Sequence, residues 1–88
     1  MPVKIFVHPF LNEGREIEVT VDGQTVGDCL RELTDLYPQM KERIFDRAGR
    51  LRGYIEVLVG LKPTYPLELS YPVQDGDTIH LIVFLSGG

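Results

Sequence analysis

Apolar and polar residues alternate in two short runs near the start of the chain. Val3, Ile5 and Val7 take every second position, and Ile17, Val19 and Val21 do so again after Asn12-Glu13-Gly14. A period of two places each set on one face of a strand. Gly14 tolerates the positive φ of a tight reversal. The pattern therefore predicts a β-hairpin of strands over 3–10 and 16–22, closed by Asp22-Gly23. The period then lengthens: Val26, Leu30, Leu33 and Tyr37 follow at the spacing of one helical face. Thr25, with Asp28 three residues on, marks the helix start. Pro38 marks its end, because the residue before a proline disfavours helical geometry. A short helical turn is expected over 39–45, with Met40, Ile44 and Phe45 inward, then a loop over 46–50.

Two further apolar runs complete the pattern. Residues 54–59 read as a third strand, stopped by Gly60 and Pro63. Residues 78–84, after the turn Asp75-Gly76-Asp77, form the most apolar strand of all. Between them Pro63, Pro66 and Pro72 leave room only for a short edge strand around Leu67-Glu68-Leu69. A strand apolar on both faces belongs in the middle of a sheet, so the C-terminal strand is expected beside the N-terminal one. The predicted order is ββαββ, an α+β, β-grasp (ubiquitin-like) arrangement: a mixed sheet of four to five strands with one main helix packed across it. Residues 1–85 are expected to form this single domain and 86–88 a flexible tail.

Length and composition restrict the function classes. A chain of 88 residues suits one small domain with little core to spare. Nine Lys and Arg against 13 Asp and Glu leave no basic excess to neutralise phosphates, so no nucleic-acid partner is expected. Cys29 is the sole cysteine, which excludes an intrachain disulfide framework. With His8 and His80 as the other soft ligands, no metal site is expected. No segment approaches the ~20 apolar residues of a membrane span, and the N-terminus has no signal-peptide pattern. A cytoplasmic protein without a membrane partner is the expectation. Nothing supplies a nucleophile–base pair or a phosphate loop, so the chain is not expected to be an enzyme by itself.

The candidate chemistry lies in Phe84-Leu85-Ser86-Gly87-Gly88, directly after the predicted central strand. A terminal carboxylate is a poor electrophile until ATP activates it as an acyl-adenylate. To reach ATP in a narrow cleft of another protein the chain must be slender there, and glycine lacks the Cβ that would obstruct it. Residues 85–88 span at most about 14 Å when extended, enough to insert while the body stays outside.

These features together resemble the ubiquitin-like sulfur carrier family: the small subunit of molybdopterin synthase, the thiamine sulfur carrier and their relatives. The hairpin, Thr25-Val26 opening a Leu30/Leu33 helix, Pro38 after it, residues 46–52 before the third strand, Asp75-Gly76-Asp77 and the final Gly87-Gly88 carry the resemblance. It implies a cycle on Gly88. An E1-like adenylating enzyme would use ATP and Mg to adenylate the carboxylate, and a persulfide sulfur donor would displace AMP to leave a thiocarboxylate. A sulfur-accepting synthase subunit would receive that sulfur. Gly88 would be the reacting residue, Gly87, Ser86 and Leu85 its tail, and no cofactor would be bound to the chain itself. The molybdopterin type is favoured, with thiamine or cysteine types open. A ubiquitin-like protein modifier joined through Gly88, and a binding module that is never activated, are the other readings.

Alternation has one more consequence. If Val3, Ile5, Val7, Ile17, Val19, Ile55, Val57, Ile79, Leu81 and Val83 face the helix, Phe6, Leu58, Ile82 and Phe84 face the other way, near His8 and His80. One helix covers one side, so these four are expected to form a partner-docking face. Cys29 reads as a half-buried structural residue, and Asp75 and Asp77 as turn formers. Arg43, Arg47, Arg50 and Arg52 are the only basic cluster.

Overall fold

The computed structural model describes residues 2–84. Alternation over the first 21 residues folds as expected into an antiparallel pair, β1 (Val3–Val7) and β2 (Ile17–Val21), with Ile5 opposite Val19. The first strand stops at Val7 rather than running to residue 10. Pro9 has no N–H for a ladder, and it opens a 3-10 turn over Pro9–Asn12. The first helix, α1 (Val26–Leu36), begins where the Thr25 hydroxyl accepts from the Asp28 N–H at 3.1 Å. It stops before Pro38, and the following 3-10 turn and α2 (Lys41–Ile44) point Met40, Ile44 and Phe45 into the core. Three strands follow: β3 (Ile55–Val59), β4 (Lys62–Pro63) and β5 (Thr78–Val83).

All five strands form one sheet in the order β2-β1-β5-β3-β4. The most apolar strand is central: β5 runs parallel to β1, with Ile79 opposite Ile5, and antiparallel to β3, with Leu81 opposite Val57. α1 lays Val26, Leu30 and Leu33 on the inner face, where they join Ile5, Ile79 and Leu81 in one buried cluster. Ile17 and Val83 pack partly buried at its margin. This is the β-grasp, ubiquitin-like arrangement.

Two expectations are corrected. The edge strand is not around Leu67-Glu68-Leu69 but at Lys62–Pro63, the return arm of a hairpin in which Val59 faces Lys62. Its two loop residues, Gly60 (φ 57) and Leu61 (φ 69), are both left-handed, the geometry that matches the twist of the flanking strands. Residues 68–70 instead make a 3-10 turn beside α1. A Cβ on Gly27 would stand 2.9 Å from the Leu69 carbonyl, so the glycine admits that close approach. The Tyr71 carbonyl then accepts from the Val26 N–H at 2.9 Å, which ties the proline-rich stretch to the helix start. Cys29 is not half-buried but fully buried. Its position one residue from the Leu30 centre of the apolar face places it against Gly23, where a Cβ would stand 2.8 Å from the sulfur.

Candidate docking face and tail root

The sheet's outer face is assembled by register. Phe6 on β1, His80 on β5 and Leu58 on β3 stand in one row across three adjacent strands, and Ile82 stands opposite Glu56 in the next. The rings of Phe6 and His80 stack with centroids 4.9 Å apart and planes 13° from parallel. Phe6, Leu58 and Ile82 are half-buried by their neighbours, whereas Phe84 is 58% exposed. Three of the four residues expected on this face, Phe6, Leu58 and Ile82, thus share the side away from α1, whereas Phe84 lies past the end of β5 and lines a groove with Arg52, Tyr65 and Glu68. The two histidines have separate roles: His80 belongs to the row, while His8 accepts the Phe10 N–H on Nδ1 at 3.0 Å and caps the 3-10 turn.

Phe84 follows β5 and is still held by the sheet, its N–H donating to the Tyr54 carbonyl at 2.7 Å. Tyr54 ties this point to two other segments. Its hydroxyl donates to the Arg43 carbonyl at 2.5 Å, and its ring meets Phe10 edge-on with centroids 6.0 Å apart. Arg43 in turn donates to the Phe10 carbonyl at 3.1 Å. Phe84 therefore lies at a braced corner where β5, β3, α2 and the Pro9–Asn12 turn meet. A shallow groove of about 490 Å³ lies beside it, with Tyr65, Glu68, Arg52 and Phe84 among its walls. Gly88, Gly87, Ser86 and Leu85, the expected reacting residue and tail, lie outside the described residues.

Alternation revealed Phe6, Leu58 and Ile82, but Phe10, Tyr54 and Tyr65 escaped it. Phe10 sits after a proline in a turn, where no period operates, and Tyr65 lies past β4, whose register only the fold sets. Tyr54 is the residue before β3, and its aromatic type was the only signal.

The remaining candidates hold structural places. The Cys29 thiol is pushed up to about 11, by burial first and then by the nearby Glu32 carboxylate; that is the opposite of an activated nucleophile. Asp77 accepts the Gln74 N–H at 2.8 Å and shapes its turn. Asp46 accepts from the Ala48 and Arg50 N–H groups at 2.8 and 3.0 Å, and those bonds, the Arg50 bond first, hold its carboxyl below the usual range. Among the described residues no group of three or more His, Cys, Asp or Glu side chains could hold a metal ion. No helix among them is long and apolar enough to cross a membrane.

No family model matches the sequence. A protein of Archaeoglobus fulgidus, named as a candidate sulfur carrier protein, is 26% identical over 89 residues, covering 100% of both chains. The crystal structure of small archaeal modifier protein 1 from Haloferax volcanii is 28% identical and superposes with a TM-score of 0.79, again over 100% of both chains. The CysO chain of the Amycolatopsis orientalis BexX/CysO complex reaches a TM-score of 0.81 at 22% identity, over 98% of this chain and 99% of that one, and shows the shared fold alone.

Proposed function

Since the chain is similar from end to end to sulfur carrier and modifier proteins of the ubiquitin-like fold, we propose that it carries sulfur on the carboxylate of Gly88. The observation that carries this reading is that Gly87 and Gly88 follow three and four residues after Phe84 in the sequence, and that Phe84 itself is anchored by its backbone bond to Tyr54. The body supplies a firm base, and the glycines supply a tail without side chains to obstruct entry into a partner's cleft.

In the proposed cycle an E1-like partner uses Mg-ATP, the Gly88 carboxylate attacks the α-phosphate, and pyrophosphate leaves. The terminal sulfur of a persulfide then displaces AMP, and a thiol cleaves the resulting S–S bond to leave the thiocarboxylate. A synthase subunit accepts that sulfur. A molybdopterin precursor is the acceptor we retain, on the sequence resemblance alone. The chain's own residues position and dock, and the outer row of Phe6, Leu58 and Ile82 with Phe84 is the face offered to these partners. A second reading, conjugation of Gly88 to lysines of other proteins, is favoured by the likeness to a modifier protein. It uses the same adenylate.

The test is the intact mass of the chain purified from its own host, before and after alkylation. The carrier reading expects a population heavier by one sulfur-for-oxygen exchange, alkylatable, and lost when Gly88 is deleted. Cys29→Ser serves as the thiol control. The unmodified mass alone, even with an activating enzyme, ATP and a sulfur donor supplied, would refute the carrier reading. Conjugates that survive boiling in reductant would select the modifier.

A further inference from the structure

The two edges of the sheet differ. β4 is only Lys62–Pro63, so that edge is short and carries a proline and a lysine, devices that discourage a further strand. β2 forms the other edge, five residues long and without proline. The ladder fixes which of its main-chain groups stay open. The Lys4 and His8 N–H groups donate to the Asp77 and Leu81 carbonyls on the β5 side of β1, so by alternation Val3, Ile5 and Val7 turn theirs toward β2. Their partners Val21, Val19 and Ile17 face back to β1, and Glu18 and Thr20 aim N–H and C=O outward. Asp22 continues this alternation, and its N–H is met by both oxygens of the Glu32 carboxylate at 3.2 Å. The main-chain groups of Glu18 and Thr20, both exposed residues, have no such cover among the described residues.

The surroundings select the chemistry of an added strand. Val19 and Val21 are buried beneath the helix, so Glu18 and Thr20 show their side chains on the outer face. Glu13, Glu16, Glu18 and Asp22 lie on β2 or beside it, with Glu32 at its end, against Arg15 and Lys4, leaving three carboxylates in excess. Lys4 reaches Glu18 at 3.9 Å with both side chains half in water, a pair of little strength. The inner side is apolar instead. Glu32 reaches Asp22 and Cys29 packs against Gly23, so this flank of α1 overlooks β2. Leu36, four residues after Glu32 and seven after Cys29, continues the flank and is 61% exposed. Ile17 on the strand is only partly buried.

We propose that the β2 edge takes up an extended segment of a partner protein in which apolar residues alternate with lysine or arginine. Main-chain bonds to Glu18 and Thr20 hold it in register. Its apolar side chains lie inward, toward Ile17 and Leu36, and its cations outward beside Glu16 and Glu18. A second copy of this chain fits poorly, because β2 against β2 sets Glu16, Glu18 and Asp22 among the same three carboxylates. The edge lies two strands from β5, and the proposal stands apart from the chemistry of the tail.

The probe is an octapeptide alternating lysine and valine, added at low salt to the ¹⁵N-labelled full chain. Slower hydrogen exchange at the Glu18 and Thr20 amides is expected, with shifts confined to residues 16–22 and the Glu32–Leu36 flank of α1. Thr20→Pro removes an outward N–H and no ladder bond to β1, and should weaken binding at least about tenfold. Glu16→Lys/Glu18→Lys should weaken it as much without a proline, and decides the matter if Thr20→Pro does not fold. The charge-matched control Asp35→Lys/Glu42→Lys should change binding less than about twofold. Equal weakening by both lysine pairs, equal binding of a glutamate–valine octapeptide, or unchanged exchange at Glu18 and Thr20 would overturn the proposal. Protection of the same amides that grows with protein concentration in the absence of peptide would overturn it in favour of a second copy.

Discussion

Leu61 holds a left-handed backbone, which costs an L-residue roughly 1–2 kcal/mol, while 71% of its surface stays in water. Asparagine tolerates that conformation better. Leu61→Asn should therefore stabilise the fold by roughly 0.5–1 kcal/mol, read as a higher urea midpoint at unchanged slope. A lower midpoint would mean that the leucine makes a stabilising contact. Cys29 gives the opposite kind of signal. Its thiol is neutral in the fold up to about 11, whereas in the unfolded chain it ionises near its ordinary value, about 8.5. Above that value the unfolded state binds fewer protons, so stability falls as pH rises from about 9 to 11. Urea unfolding across that range should show a decline in the wild type that Cys29→Ala lacks. Parallel declines would place the titration elsewhere. The burial of Cys29 was only half legible in the sequence: its offset from Leu30 on the helical wheel suggested a margin position, and the close approach permitted by Gly23 is a tertiary fact.

Elements with one strong local signal were readable, and those set by competition were not. α1 announced both ends through Thr25 and Pro38, and the hairpin of β1 and β2 announced itself by period. Thr25→Ala removes the hydroxyl that accepts the Asp28 N–H and should cost about 1 kcal/mol, with faster amide exchange at Asp28 than in the rest of α1. Loss of stability without that local change would place the hydroxyl's role outside the cap. The stretch from 62 to 72 misled because Leu67 and Leu69 alternate as a strand would. Pro66 and Pro72 withhold ladder donors there, and Leu69 is satisfied beneath α1 instead. The outer face of the sheet was legible through Phe6, Leu58 and Ile82, since burial of one face forces the other. Its braced corner at Tyr54 was not, because contacts between Phe10, Arg43 and Tyr54 join segments 33 and 11 residues apart with no shared period.

The whole molecule rests on β5. It pairs on both sides, and Ile79 and Leu81 are essentially sealed from solvent. Leu81→Ala should cost about 2–5 kcal/mol, a large share of the roughly 5–15 kcal/mol that holds a small domain folded, and so should broaden or abolish the thermal transition. A loss below about 1 kcal/mol would mean that the centre of the sheet collapses around the gap. The position of β5 in the chain also governs when the protein can exist at all. A ribosome makes β1, β2, α1 and β3 first, yet β1 and β3 never touch as neighbours; the strand that lies between them emerges after both. Synthesis must therefore reach residue 83 before the sheet can close. A chain broken off earlier offers chaperones and proteases two unjoined half-sheets.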